Sequence, residues 1–461
     1  MKSKMKLLFI ALISALVLLS CQTDSEKADK LRLENKFDEA AELYQKAADE
    51  GDTYAMWRLS KAYANGDGVD WDEVKAFDLL KQAAKGGCEE AKCDLAFAYM
   101  FDWYGIEDVE KGKTMLEDLV KTTANSTVLS RYASLLFGGG GPYEENKEKA
   151  MRILEKIKDK NNPFYLATMG DVYLNGSDKI EINAEKAIEY YSKAFENGRK
   201  YCADVLQKIY AFGYGEVKQD KGKRIDWLNR GIESNVDDCM CDMALLCMAE
   251  DSIYQDIHNP QRAIELLKRA TRHGSGEAYY IIGNLYYNGK YLPKDDKKAF
   301  ENWKKAVELK CNEATSNLAY TYMEGVGCEK DEKKGLEIYK QSVEEGNGFS
   351  ARQLYFCYSY GKWGIERDEE LAKKYLLKAT EYNDPVGCYY LGMHYYWDNG
   401  LMNKHSGQAF VYIKKAADMG HIDACNMIAY FYENGIGCDK DPQKAKEYKD
   451  KTIANNEKNE Q

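Results

Sequence analysis

The chain has 461 residues, of which 44% are hydrophobic, 31% are charged and six are proline. These shares exclude a disordered chain and a polytopic membrane protein, and the shortage of proline favours a mostly helical body. A formal net charge of −11 disfavours non-specific binding of nucleic acid, which needs clustered positive charge. We therefore expect a helical protein whose partners do not include nucleic acid.

The N-terminus is typical of a targeting segment. Lys2, Lys4 and Lys6 precede an apolar run from Leu7 to Leu19. A helix of that length spans about 20 Å, which is too short for the ~30 Å hydrocarbon core of a bilayer. A basic start followed by a short apolar run indicates a secretory signal peptide, which we predict over residues 1–20.

The end of this segment, Leu18-Leu19-Ser20-Cys21, resembles the lipobox of bacterial lipoproteins. The resemblance implies cleavage before Cys21 and lipidation of that cysteine; the alternative is an ordinary signal peptide with an incidental cysteine. Two or more acyl chains would anchor the protein stably. We then expect an outer-membrane lipoprotein of the cell envelope, on the periplasmic or the surface face. Residues 21–34 would hold the lipidated cysteine and a polar tether or first helix.

The remaining chain repeats itself every 36 to 39 residues. A residue four positions before each recurring landmark is always apolar or aromatic, which places both on one face of a helix. Tyrosine occupies most of these landmark positions, which are Tyr63, Tyr99, Leu136, Tyr173, Tyr210, Cys247, Tyr286, Tyr322, Tyr358, Tyr395 and Tyr432. We interpret this stripe as the first helix, helix A, of each repeat, and expect its tyrosines to serve packing.

A second helix, helix B, is indicated by paired alanines seven residues apart. Two small side chains two turns apart let a neighbouring helix approach closely. The series begins at Ala40 and Ala47 and includes Ala76 and Ala83, Ala187 and Ala194, Ala263 and Ala270, Ala299 and Ala306, Ala372 and Ala379, and Ala409 and Ala416. Glycine turns such as Asn65-Gly66 and Asn434-Gly435 separate the two helices, and glycine favours the left-handed cap that ends a helix.

The unit from Ala314 to Gly346 resembles the Sel1-like repeat, a relative of the tetratricopeptide repeat. The resemblance implies an all-α fold: an α/α solenoid of about eleven helical hairpins that form a right-handed superhelix over residues 35–452. Residues 453–461 would be a polar tail. Some units depart from the pattern, including the glycine run Gly138–Gly141, the long connection Met248–Pro260, and Arg224 in place of a helix B alanine.

Cysteine and histidine give no strong chemical signal. Equivalent cysteines of adjacent repeats should lie beyond the ~7 Å limit for Cα atoms joined by a disulfide. Only Cys88 and Cys93 are close enough in sequence to be considered as a pair. The five histidines lack the spacing of metal ligands, and the Gly-x-Gly turns match no phosphate loop. We predict no cofactor, no metal site and no catalytic residues.

The candidate partner-contact residues lie where the repeat pattern breaks or where aromatics stand off the tyrosine stripe. They are Gly139, Tyr143, Tyr254, Trp103 and Trp363. Insertions in solenoids map to loops, often on the binding face, although drift in a tolerant loop would give the same pattern.

The function expected from the resemblance is that of a protein–protein interaction scaffold, lipid-anchored at Cys21, which captures a peptide or protein surface. Two other functions stay open: an enzyme that handles cell-wall fragments or β-lactams, and an inhibitor of an enzyme. No arrangement of nucleophile and base is visible in the sequence, which favours binding over catalysis.

Overall fold

The computed structural model describes residues 23–250, 252–397 and 401–459. This part of the chain contains 24 α-helices, two short 3-10 helices at Trp103–Gly105 and Ser252–Ile257, and no β-strand. The first fourteen are α1 Asp24–Leu33, α2 Phe37–Asp49, α3 Thr53–Asn65, α4 Glu73–Lys85, α5 Glu89–Met100, α6 Val109–Thr122, α7 Ser126–Gly138, α8 Lys147–Lys156, α9 Pro163–Asn175, α10 Ala184–Glu196, α11 Cys202–Phe212, α12 Lys221–Glu233, α13 Asp237–Met248 and α14 Pro260–Arg272. The others are α15 Gly276–Asn288, α16 Asp296–Glu308, α17 Glu313–Glu324, α18 Glu332–Glu344, α19 Gly348–Tyr360, α20 Glu369–Glu381, α21 Pro385–Tyr396, α22 Ser406–Asp418, α23 Ile422–Asn434 and α24 Pro442–Asn459.

The helices pack in consecutive pairs, each odd-numbered helix against the even-numbered helix that follows it. This confirms the predicted all-α solenoid of helical hairpins, with helix A as the odd member and helix B as the even member. The chain divides into two compact units, unit 1 up to Ala278 and unit 2 from Tyr279.

The two sequence landmarks form the core of each hairpin. The paired alanines of helix B are all buried. Four landmark tyrosines, Tyr173, Tyr358, Tyr395 and Tyr432, stack on a tyrosine of their own helix B; the ring centroids of Tyr358 and Tyr375 are 5.6 Å apart. A lysine twelve residues after the landmark often covers the ring; the ammonium of Lys111 lies 3.8 Å from the ring centroid of Tyr99. These contacts show that the tyrosine stripe is used for packing.

The two glycines of each turn are required for different reasons. The first glycine, as at Gly66 and Gly325, adopts the left-handed conformation that ends helix A, with φ of 68° and 74°. The second glycine lies against the start of the preceding helix B. A Cβ atom on Gly327 would stand 2.0 Å from the carbonyl oxygen of Asp296, so no side chain fits there.

The structure differs from the sequence interpretation at both ends of the array. The described residues contain twelve hairpins where about eleven were predicted, because α1 pairs with α2 although it has no landmark tyrosine. Asp24 to Lys27, predicted to be part of a polar tether or first helix, form the first turn of α1, where Thr23 and Glu26 make a reciprocal capping box. Helix α24 continues to Asn459, within the segment predicted as a tail.

Candidate functional site

The odd-numbered helices of unit 1 surround a cavity of about 1070 Å³. Two positions of helix A point into it, five residues and two residues before the landmark, because these lie on the helix face opposite to the one packed on helix B. The first position contributes Arg58, Asp94, Arg131, Thr168 and Val205, and the second contributes Lys61, Phe97, Ser134 and Asp171.

Contacts between residues far apart in sequence close unit 1 around this cavity. An Nη atom of Arg32 lies 3.5 Å from the carbonyl oxygen of Gly198. The side-chain amide of Asn235 donates to a carboxylate oxygen of Asp67 over 3.2 Å. The first two hairpins therefore contact residues more than 160 positions later in the sequence. These contacts bring the beginning and the later part of unit 1 together at the cavity.

Asp94 is the central carboxylate of the cavity. Its side chain is 3% exposed and accepts a hydrogen bond from the indole nitrogen of Trp57 over 2.6 Å. Arg131 forms an ion pair with the same carboxylate, and the Nζ of Lys61 lies 3.5 Å from it. Burial alone would raise the pKa of Asp94, but Arg131, Lys61 and the hydrogen bonds outweigh burial and hold that pKa far below its usual value.

Asp29 is a second carboxylate on the cavity wall, and it is fully engaged by neighbouring groups. The hydroxyls of Tyr44 and Tyr54 donate to its two oxygens over 2.6 and 2.8 Å. The Nε of Arg58 lies 3.1 Å from Asp29 and donates to the hydroxyl of Tyr54 over 2.8 Å. This network fixes the Nε side of Arg58 against α1, and its guanidinium carbon lies 5.0 and 4.6 Å from the ring centroids of Tyr54 and Trp57.

Arg131 and Arg199 flank one aromatic ring. Their guanidinium carbons lie 5.6 and 4.8 Å from the ring centroid of Phe164, and Arg131 also covers Phe97 at 4.1 Å. Among the described residues, Arg199 has no carboxylate within ion-pair distance. Its nearest acidic neighbour, Asp171, accepts a hydrogen bond from Tyr191 over 2.8 Å.

The positive charges of Lys61, Arg131 and Arg199 repel one another in the cavity. Asp94 acts to raise the pKa of Lys61, but burial and the guanidinium groups of Arg131 and Arg199 together outweigh it, so the pKa lies below its usual value. The Lys61 side chain is nevertheless 44% exposed, towards the cavity. Arg131 and Asp94 thus form a buried pair, whereas Lys61 and Arg199 keep donors that face the cavity.

Of the five candidate contact residues from the sequence, Trp103 alone lies at the cavity. It stands in the 3-10 turn between α5 and α6, is 40% exposed and packs at 6.1 Å from the ring of Phe97. Its place in an irregular turn is what singled it out in the sequence.

Gly139 and Tyr143 lie in the turn between α7 and α8, away from the cavity lining. Gly139 has a φ of 64°, in the left-handed region. Tyr143 is buried and makes an edge contact with Tyr132, with ring centroids 5.6 Å apart. Burial leaves the Tyr143 ring little surface for a partner, so its position fits local packing.

Tyr254 and Trp363 are also held by neighbouring residues. Arg224, which replaces a helix B alanine, donates to the hydroxyl of Tyr254 over 2.9 Å, so two departures from the repeat explain one another. The indole nitrogen of Trp363, in unit 2, donates to Glu324 over 2.9 Å. The five candidates therefore do not form one site.

The remaining sequence predictions concern cysteines, metals and the membrane. Cys88 and Cys93 are thiols and are not joined in a disulfide. Cys21 lies outside the described residues. Within the described ranges, no group of three or more His, Cys, Asp or Glu side chains is arranged to hold a metal ion. Nor does any helix there have the length and apolarity needed to cross a bilayer.

Sequence reasoning missed the charged lining of the cavity. The signal was present, because Arg58, Asp94 and Arg131 recur at one position of the repeat. It was missed because the interpretation followed the recurring apolar stripe and assigned the charged residues of helix A to a solvated face.

Ten segments of the chain match the Sel1 repeat: residues 33–52, 53–88, 128–162, 164–198, 238–275, 276–311, 312–347, 353–383, 385–421 and 422–448. Two long stretches, 89–127 and 199–237, lie between matched segments. They contain Asp94, Trp103 and Arg199 of the cavity.

Similar proteins include an exopolysaccharide production negative regulator of Rhizobium leguminosarum bv. viciae, 25% identical over 147 residues, which is 29% of this chain and 55% of the relative. A protein of the same name from Rhizobium meliloti is 38% identical over 60 residues, 13% of this chain and 22% of the relative. The chain spans about half, or less, of the length of these curated relatives.

Two solved structures resemble the fold. A Sel1 repeat protein from Oxalobacter formigenes is 24% identical with a TM-score of 0.48, covering 55% of this chain and 99% of the other. A protective antigen of uropathogenic Escherichia coli with an SLR fold is 20% identical with a TM-score of 0.44, covering 91% and 90%. Since the ten matched segments make up more than half of the sequence, the chain belongs to the Sel1 repeat family.

Proposed function

We propose that this protein is an interaction scaffold that captures a protein or peptide partner through its Sel1 repeats. The observation that carries the proposal is the array of repeats itself, which buries its core between neighbouring hairpins and leaves the inner helix positions free for binding. Two of its relatives are named as regulators of exopolysaccharide production, a role that fits a protein acting through partners.

We also propose that the scaffold is lipid-anchored at Cys21 and works in the cell envelope as an outer-membrane lipoprotein. The lipobox-like sequence before Cys21 supports the anchor. Cys21→Ala should remove the protein from the membrane fraction, and protease treatment of intact cells then separates surface from periplasmic display. A Cys21→Ala protein that fractionates as the wild type does would contradict the anchor.

Site-specific photocrosslinking in the cell of origin tests the scaffold function. A crosslinking amino acid at Leu135, which lines the cavity, should give a discrete product with a partner protein, whereas one at the exposed Lys85 of α4 should not. Further positions at Phe349 and Tyr430, both partly exposed on helix A of unit 2, extend the test to that unit. A lack of partner products at all three of Leu135, Phe349 and Tyr430 would contradict a scaffold.

A further inference from the structure

One part of the wall of the unit 1 cavity gathers three cations near a single buried carboxylate. Lys61, Arg131 and Arg199 are close enough to influence one another, and Asp94 is the carboxylate that Lys61 and Arg131 share. Asp94 accepts from Trp57 and Arg131 and lies 3.5 Å from the Nζ of Lys61, so its single negative charge is shared between two cations, and Arg199 forms no ion pair with it. Asp171 is engaged by Tyr191. The donors of Lys61 and Arg199 are therefore left facing the cavity.

This arrangement is costly for folding and is not demanded by the repeat. Placing like charges together in a partly desolvated space destabilises a protein unless something compensates for them. Repeats of unit 2 build the same hairpins with uncharged residues at the equivalent positions, such as Asn317 and Gln353. Moreover, Asp94 and Arg199 fall in the two stretches that lie between segments matching the Sel1 repeat.

Aromatic rings form the apolar part of the same wall. Phe97, Phe164 and Trp103 line the cavity next to the cations. A volume of about 1070 Å³ lies just above the range for ligand pockets, about 300–1,000 Å³. An occupant would be larger than a single ion and would combine anionic groups with apolar surface.

The carboxylates on the wall select among anions. Seven carboxylates also line the cavity and would repel a dense polyanion such as a nucleic acid strand: Asp29, Asp67, Glu90, Asp94, Asp171, Asp237 and Asp238. Separate carboxylates along a peptide can each approach a cation and avoid these acidic side chains. Guanidinium and carboxylate groups also match in geometry and form strong charge-assisted hydrogen bonds.

We propose that the cavity of unit 1 binds an acidic peptide segment, with Lys61 and Arg199 receiving its carboxylates and Phe97, Phe164 and Trp103 packing on its apolar parts. The proposal rests on the proposed scaffold function and names the chemistry of the partner. Arg131, held by Asp94 and stacked on Phe97, positions the cationic wall.

The test is selection from a random heptapeptide display library on the full-length chain. Peptides selected by the wild type should be enriched in Asp and Glu over the starting library. The double variant Lys61→Gln, Arg199→Gln should lose that enrichment. The matched control Lys121→Gln, Arg152→Gln removes the same charge from exposed positions of unit 1, with side chains 69% and 65% exposed, and should retain it. Circular dichroism confirms that all variants are folded.

Calorimetry with the most enriched peptide then measures affinity. Each single change, Lys61→Gln or Arg199→Gln, should weaken binding about tenfold or more, because each removes a charge-assisted hydrogen bond. Replacing Glu by Gln in the peptide should have a similar effect. A ten-nucleotide DNA strand should not compete.

The outcomes separate the two proposals. Three results would each overturn the acidic-peptide site. The selected peptides could lack enrichment in Asp and Glu. An acidic peptide could bind the double variant as tightly as the wild type, or a DNA strand could displace the peptide. If crosslinking still finds a partner in cells, the scaffold function stands without it. If acidic peptides bind the cavity but crosslinking yields no partner, the scaffold function fails and the binding site stands.

Discussion

The two units build the same helical hairpins but present different inner faces. In unit 1 the two inner positions of helix A carry Arg58, Lys61, Asp94, Arg131, Asp171 and Lys208 among others. In unit 2 the same two positions are all uncharged: Ile281, Asn284, Asn317, Tyr320, Gln353, Phe356, Tyr390, Met393, Met427 and Tyr430. The packing positions are alike in both units, so the difference shows which residues the fold leaves free to vary.

The inner positions of unit 2 are joined by aromatic contacts and neutral hydrogen bonds. Phe356 and Tyr390 meet edge to face, with ring centroids 5.2 Å apart. The side-chain amide of Asn317 donates to Asn284 over 3.0 Å. Such contacts between successive A helices bury no charge. In unit 1, by contrast, Asp94 and Arg131 are charged, and each needs the other as its counter-ion. The same fold therefore accommodates a charged and an uncharged lining. Loss of one contact should reduce the free energy of unfolding more in the charged lining than in the uncharged one.

The largest effect expected from this difference is at Asp94. Asp94→Ala would leave Arg131 without its carboxylate and the Trp57 nitrogen without its acceptor, and we expect a loss of about 3–5 kcal/mol in the free energy of unfolding of the surrounding hairpins. Long repeat arrays lose two-state behaviour, so hydrogen exchange of α5 and α7 is the appropriate measurement.

The matched change in unit 2 is Asn317→Ala at the equivalent position. It removes one neutral hydrogen bond, and we expect about 1 kcal/mol, measured by hydrogen exchange of α17. Equal losses at the two positions would show that the charged lining has no special energetic role.

Positions that pack the hairpin should respond alike in both units. A Cβ atom on Gly170 would stand 2.6 Å from the ring of Tyr191, and one on Gly283 would stand 2.6 Å from the ring of Trp303. Gly170→Ala and Gly283→Ala should each cost about 1–3 kcal/mol through overpacking, seen as lower hydrogen-exchange protection in their helices.

Gly222→Ala is the control for these two changes. Gly222 is exposed in α12, and the nearest atom to a new Cβ, a carboxylate oxygen of Asp220, is 3.4 Å away. This change should stabilise α12 by up to about 1 kcal/mol, because alanine favours a helix. A clear difference between Gly170→Ala and Gly283→Ala would mean that the hairpins of the two units are packed differently.

The sequence predicted the part of the structure that every repeat shares. The hairpin was predicted from the landmark tyrosines, the paired alanines and the glycine turns. These features recur because each repeat must bury the same surface against its neighbour. Helix α1 lacks the landmark, so the sequence predicted it only as a tether or first helix and not as part of a hairpin. The cavity was missed because its charges were assigned to a solvated face, and because its closure depends on contacts such as that of Asn235 with Asp67, which lie 168 residues apart in sequence.

Acidification should stabilise the closure of unit 1. Burial raises the pKa of Asp67 to about 6, despite the hydrogen bond from Asn235. The unfolded value is about 3.9, so between pH 4 and pH 6 the folded state binds the extra proton, and stability falls as the pH rises through that window. Asp67→Asn should gain about 1 kcal/mol at pH 7.5 and little at pH 4, as measured by hydrogen exchange of α3. Burial also raises the pKa of Asp237, so part of the slope should remain in this variant.

Acidification should have the opposite, and smaller, effect on one helix of unit 2. The Nδ1 atom of His421 caps α23 by accepting the amide of Ala424 over 3.2 Å, and a protonated imidazole cannot accept. Burial lowers the pKa of His421, against the influence of Asp423 and Asp384. Stability from the neutral ring is therefore complete above about pH 6.5 and is lost as the pH falls below that value. Between pH 7.5 and pH 5, α23 should lose up to about 1 kcal/mol of protection against hydrogen exchange, while α3 gains. His421→Asn keeps an acceptor at the cap and should abolish the loss; an unchanged loss in that variant would place the titrating group elsewhere in unit 2.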